Sequence, residues 1–111
     1  MTPAQSKLLE LLGNYRPECG LQLQLKARYA AFIEANSDCC ERRLVCGHLT
    51  GSAWLVSADG TRAVLMHHRK LNRWLQPGGH ADGDADMARV ALREAEEETG
   101  LTGLDVSPEI F

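Results

Sequence analysis

Residues 79–101 read GHADGDADMARVALREAEEETGL, and they set the interpretation of everything around them. Met87 to Thr99 is rich in Ala, Leu, Arg and Glu, which are strong helix formers, so the spacing predicts a helix here. Asp86 is placed to cap its first turn, and Gly100 supplies the left-handed residue that ends it. Within the helix Glu94, Glu97 and Glu98 stand at i, i+3 and i+4. At about 100° per residue they share one face. Ala88, Ala91, Leu92 and Ala95 fill the adjoining arc and are expected to seat the helix on a sheet, with Glu96, Arg89 and Arg93 directed elsewhere. Like charges at i, i+4 repel, and no lysine follows to neutralise them. Two readings are open: a solvated acidic surface, or a set of hard oxygen ligands for magnesium, calcium or manganese.

The whole segment resembles the Nudix box, G-x5-E-x7-R-E-U-x-E-E-x-G-U with U aliphatic. Gly79, Arg93, Glu94, Glu97, Glu98, Gly100 and Leu101 match at the required spacing, and Ala95 occupies the first aliphatic position. The lead-in Trp74-Leu75-Gln76-Pro77-Gly78-Gly79 is also similar to the family's. One position departs: Ala85 stands where the family has its first glutamate, flanked by Asp84 and Asp86, either of which is a candidate substitute. The resemblance implies an α/β fold, the family's α/β/α sandwich. It also implies a divalent-metal-dependent hydrolase of a nucleoside diphosphate linked to another moiety. Carried over residue by residue, it makes Glu94, Glu97 and Glu98 ligands of Mg2+ or Mn2+, adds the carbonyl of Gly78, and gives Arg93 the task of orienting the carboxylates. Such ions neutralise a diphosphate and lower the pKa of a bound water.

Upstream, residues 62–74 carry Arg62, Arg69, Lys70 and Arg73 with no acid, whereas residues 82–98 carry seven acids against Arg89 and Arg93. Arg69, Lys70, Arg73 and His80 are the candidate substrate contacts, through phosphate oxygens. Each also reads as a polar surface residue. His67 and His68 are further candidate bases, and Trp74 is either a base-stacking platform or a core anchor. Leu49 to Val56 and Ala63 to His67 flank Ala58-Asp59-Gly60, whose Asp-Gly pair predicts a β-hairpin. Residues 76–86, QPGGHADGDAD, read as an irregular loop.

The first forty residues read differently. Leu8, Leu9, Leu11 and Leu12 stand at helical spacing before Gly13 and Pro17, and a second helix is expected over 21–35 on a stripe of Leu21, Leu25, Tyr29, Phe32 and Ala35. Residues 1–40 are therefore assigned to an N-terminal helical extension and 41–111 to a partial Nudix-like domain. Cys19, Cys39, Cys40 and Cys46 are expected as free thiols; Cys39, Cys40 and Cys46 with His48 make a zinc site of poor spacing the alternative.

Downstream, only Thr102 to Phe111 follow the signature, and Leu104-Asp105-Val106 is the one candidate strand. The sandwich is expected to be incomplete at the C-terminus, its open edge covered by the N-terminal helices or by a second copy, or else left bare in a truncated, inactive chain. Self-association is the favoured expectation. The rival to the enzyme is a non-catalytic remnant that binds metal, nucleotide or protein through the surviving signature.

The 111 residues allow one domain. They are 44% hydrophobic and 24% charged, with 12 Lys+Arg against 15 Asp+Glu and a net charge of −3, the balance of an ordinary globular protein. That balance, with a pI near 5.8, weighs against a nucleic-acid-binding module. No apolar run is long enough for a membrane helix and no signal peptide is visible, so the expected location is the cytoplasm.

Overall fold

A computed structural model describes residues 1–107. Three helices and four short strands follow in the order α1 (Pro3–Gly13), α2 (Gly20–Ala35), β1 (Thr50–Ser52), β2 (Met66–His68), β3 (Arg73–Leu75), β4 (Gly78–His80) and α3 (Met87–Thr99). The chain is an α/β protein with small antiparallel sheets.

α1 begins ahead of its leucine run because Thr2 and Gln5 form a reciprocal capping box. Thr2 Oγ1 accepts from the Gln5 amide at 3.1 Å, and Gln5 Oε1 accepts from the Thr2 amide at 2.8 Å. Gln5 is buried, and its Nε2 donates to the carbonyl oxygen of Ile33 at 2.8 Å, satisfying a C-terminal carbonyl of α2. α1 and α2 are thus joined by a polar bond beside the packing of Leu8 and Ile33.

The apolar stripe expected on α2 is mostly exposed. Ile33 is its one buried residue and Phe32 packs on the core, while Leu21, Leu25, Tyr29 and Ala35 face solvent. Leu21, Leu23 and Leu25 alternate with glutamines at a period of two, which on a helix scatters apolar side chains around the axis.

β1 pairs antiparallel with β4, with Thr50 opposite His80, Gly51 opposite Gly79 and Ser52 opposite Gly78. β2 pairs with β3, with Met66 opposite Leu75, His67 opposite Trp74 and His68 opposite Arg73. Three sequence expectations are corrected here. The hairpin around Asp59-Gly60 is short, a Val56–Ala63 bridge with the Ser57 amide on the Arg62 carbonyl oxygen at 2.9 Å and the Val64 amide on that of Leu55 at 3.0 Å, and β1 pairs with β4. The stretch 76–86 is not wholly irregular, since Gly78–His80 is a strand. Leu104-Asp105-Val106 forms no ladder.

α3 packs on β1 and β4. Val90, fully buried, takes the seat that the sequence assigned to the alanines; of these, Ala95 is buried and Ala88, Ala91 and Leu92 are half-buried. A Cβ at Gly51 would lie 2.8 Å from Val90 Cγ1, so β1 accepts the helix at this distance because residue 51 has no side chain. The core joins Leu8, Ile33, Cys39, Cys40, Leu49, Ala81 and Val90, drawing on the N-terminal helices and on the segment after β4 alike.

Candidate active site

α3 is fixed at both ends. Asp86 caps it, its Oδ1 accepting from the Arg89 amide at 3.2 Å, and Gly100 ends it at φ 74°. The candidate site is the edge where α3 crosses β4. Glu94 lies against that strand: a Cβ at Gly79 would fall 2.6 Å from the Glu94 carboxyl carbon. Only glycine at 79 leaves the carboxylate this place. Arg93 turns toward the same strand, contrary to the helix-wheel expectation. Its Nη2 donates to the His80 carbonyl oxygen at 2.9 Å and stands 3.6 Å from Glu94 Oε1. A single guanidinium thus connects the β4 backbone with the Glu94 carboxylate.

Glu97 and Glu98 are exposed, one turn further along α3, and make no ion pair among the described residues. Gly78 is half-buried at the start of β4. The donor chemistry of the three glutamates suits a hard dication, all ligands being carboxylate oxygens. As placed, however, no group of three or more His, Cys, Asp or Glu side chains among the described residues is gathered closely enough to hold a metal ion. That holds equally for Cys39, Cys40, Cys46 and His48. The cysteines are free, Cys39 and Cys40 being buried, and burial with Cys39 adjacent pushes the Cys40 thiol up to about 12.

Ala85 packs against the hydrophobic core. Its acidic neighbours are engaged at the head of α3. Asp84 accepts from Arg89 Nε at 2.7 Å and Nη2 at 2.9 Å, and these bonds hold its carboxyl at about 2. Asp86, besides capping, is 3.6 Å from Lys7 Nζ.

The basic residues are elsewhere. Arg69, Lys70 and Arg73 are exposed on the β2–β3 hairpin, which pairs with itself, and none forms an ion pair with the glutamates of α3. Trp74 is 67% exposed in that hairpin, with the His67 ring edge-on at 5.1 Å, so it is not a core anchor. His80 is exposed on β4 and stacks on His48, the ring centroids 5.1 Å apart. The buried Nδ1 of His48 has no hydrogen-bond partner among the described residues.

Arg42 is the residue that sequence reasoning passed over. Its Nε and Nη2 donate to the two carboxylate oxygens of Asp82 at 2.9 and 3.0 Å, lowering the Asp82 carboxyl below its ordinary value. An arginine in ERR after two cysteines carries no local signal of a partner forty positions away.

Two proteins of Mycobacterium tuberculosis, one from strain CDC 1551 / Oshkosh and one from strain ATCC 25618 / H37Rv, both bear the name "Putative 8-oxo-dGTP diphosphatase 3". Each is 43% identical to this chain over 49 residues, covering 40% of this chain and 23% of the relative. The chain therefore matches less than a quarter of the length of these curated relatives. The family model described as NUDIX domain matches residues 48–110, more than half of the chain, from the His48–His80 stack through β1, β4 and α3. With the glutamates of α3 and the glycines of β4 inside that match, the chain belongs to the NUDIX domain family.

Proposed function

We propose that this protein hydrolyses a nucleoside diphosphate linked to another moiety, with Mg2+ or Mn2+ as cofactor, and that residues 41–111 are the part of an α/β/α sandwich that carries the reaction. The observation that carries the reading is the seat of Glu94 on Gly79, with Arg93 bridging that carboxylate to the His80 carbonyl oxygen. It combines a glycine kept free of side chain, an oriented carboxylate, and two further carboxylates one turn away. Glu94, Glu97, Glu98 and the Gly78 carbonyl would hold the ion. When bound, a dication neutralises diphosphate charge and makes a water acidic enough to attack phosphorus near neutral pH.

The chain's own residues supply the rest. Arg93 holds Glu94 against β4, so one ligand is in place before substrate arrives, which lowers the ordering cost of the reactive complex. Glu97 and Glu98 make no ion pair among the described residues and are available as ligands and as acceptors of the water's proton. The water oxygen forms a bond to phosphorus while the bridging P–O bond breaks, and the product phosphate leaves with that bridging oxygen. His80, beside the seat, and Arg69, Lys70 and Arg73, on the β2–β3 hairpin, are proposed to contact phosphate oxygens.

The test is turnover of a panel of nucleoside diphosphate derivatives and nucleoside triphosphates, with 8-oxo-dGTP included because the relatives bear its name, in Mg2+ or Mn2+. Turnover by the parent with a loss of at least about a hundredfold in Glu97→Gln supports the enzyme. Equal background in both removes it. One observation favours the second reading, a non-catalytic module that binds metal, nucleotide or protein. Position 85 packs into the core, and the acids beside it are already hydrogen-bonded at the head of α3. Tight Mn2+ binding without turnover would support that module instead.

A further inference from the structure

The segment Cys39–Arg42 lies outside the NUDIX match, yet it contacts both polypeptide stretches that frame the candidate site. Two successive carbonyls of this segment are used. The Cys39 oxygen accepts from the Leu49 amide at 2.7 Å, immediately before β1, and the Cys40 oxygen accepts from the Gly83 amide at 3.0 Å, in the connection between β4 and α3. Leu49 and Ala81 are buried with Cys39 and Cys40, so the two backbone bonds sit over a common apolar contact.

Arg42 completes the attachment. It grips Asp82 with two parallel hydrogen bonds, and Asp82 holds a left-handed backbone at φ 49°. Gly83 follows at φ 86°, where a Cβ would meet Glu41 Oε1 at 3.0 Å. Two consecutive left-handed residues, closed by a hydrogen bond from the Asp84 amide to the Ala81 carbonyl oxygen at 3.1 Å, make a tight reversal. Two further partners come from the chain before β1: the Cys40 carbonyl on the Gly83 amide and the Arg42 guanidinium on the Asp82 carboxylate. His80 immediately precedes this reversal, and Arg93, which seats Glu94, is bonded to the His80 carbonyl oxygen.

We infer that Cys39–Arg42 is a clasp that holds the 81–85 reversal against β4, with Arg42 as a positioning residue for the Arg93–Glu94 arrangement. On the reading of the function given above, Arg42 touches neither substrate nor metal; it acts through Asp82. The segment that joins the N-terminal helices to β1 is then part of the working site rather than a packing accessory.

Amide exchange read at residues 81–85, with turnover measured in parallel, tests the clasp. Arg42→Ala is expected to speed exchange of the Gly83 amide and its neighbours by about fivefold or more, with exchange in α1 unchanged. Arg42→Lys, which keeps the charge and loses the two-pronged geometry, is expected to fall between parent and alanine variant. Asp82→Asn is expected to act on the same amides, and the double variant Arg42→Ala/Asp82→Asn to add little to either single one. Turnover by Arg42→Ala is expected to drop about tenfold in kcat with little change in KM. Arg43→Ala, exposed and next in sequence, is the control. Unchanged exchange at 81–85 in Arg42→Ala, or additive effects of the two single substitutions, overturns the clasp. If the parent turns over no nucleotide, the enzymatic reading falls while the exchange comparison still decides the clasp.

Discussion

At the residue scale, three glycines carry different loads, and the difference separates stability from activity. A methyl at Gly51 would meet the branched Val90 side chain and the Ala91 amide nitrogen at 3.3 Å, and one at Gly78 would meet Ser52 Cα at 2.9 Å and the Gly51 carbonyl oxygen at 2.8 Å. Neither set of atoms yields easily, so Gly51→Ala and Gly78→Ala are each expected to destabilise by about 1–3 kcal/mol in denaturant melts. A methyl at Gly79 meets only the end of the Glu94 side chain, which swings aside. Gly79→Ala is therefore expected to leave the melting midpoint close to the parent's while lowering turnover at least about tenfold. Were stability to fall as far as in Gly51→Ala with turnover intact, Glu94 would have no need of its seat. The signature glycine was legible in the sequence through the family resemblance, whereas Gly51 was not, since its requirement arises from a helix packed forty residues later.

Acid sensitivity also belongs to single residues. Arg89 holds the Asp84 carboxyl at about 2, and the hydroxyls of Ser57 and Thr61 hold Asp59 there as well, both from an ordinary 3.8. A carboxyl depressed in the folded state contributes stability above its unfolded pKa and loses it as pH falls toward the folded value. Melting temperature is expected to decline between about pH 4 and about pH 2, and Asp84→Asn to flatten part of that decline. A decline as steep in Asp84→Asn as in the parent would place the sensitivity at other groups.

At the element scale, α3 was legible because every signal for it is local: the cap, the helix formers and the left-handed glycine lie within one continuous stretch, and the helix occupies Met87–Thr99 as read. Asp86→Ala removes the cap and the Lys7 contact together and is expected to cost about 1 kcal/mol, whereas Lys7→Ala, which loses only an exposed ion pair, is expected to cost a few tenths, as measured by urea melts. Similar losses from both would make the α1–α3 ion pair, rather than the cap, the stabilising feature. β4 was illegible for the opposite reason. Gly-Gly-His offers no alternating side chains, and its strand character comes from backbone pairing with Thr50–Ser52, almost thirty residues away. The turn chemistry at Asp59-Gly60 was read correctly, but turn residues fix only the reversal: the pairing stops at one bridge and its two flanking hydrogen bonds, and β1 finds its partner in β4. α2 defeated the stripe argument because what covers a helix is decided by its neighbours, and only its Ile33 end reaches the core.

At the scale of the molecule, the described fold is loose for its size. The radius of gyration is 14.7 Å, where a compact chain of this length has about 13 Å. The accessible surface is 8002 Å², where a folded monomer of 12.2 kDa exposes about 6,100 Å². A groove of about 1040 Å³ opens between the N-terminal helices and the β1–α3 unit, with Leu11, Tyr29, Trp54, Leu92 and Val106 among its walls. A stable protein interface takes about 800 Å² from each partner, and the surplus exceeds that. We propose that a second copy of the chain covers this surface. Sedimentation is expected to show a mass rising from 12.2 kDa toward twice that value as concentration increases. Trp54→Glu and Tyr29→Lys, half-exposed positions on opposite walls of the groove, are expected to return the monomer without loss of helix content, because neither side chain belongs to the buried core. The monomeric variants should also bind an apolar fluorescent dye more strongly than the associated parent, since the groove is uncovered in them. A parent that stays at one mass across the concentration range, with a bright dye signal, would mean that the groove is open in solution and that the N-terminal helices alone shield the face of α3 beside the carboxylates.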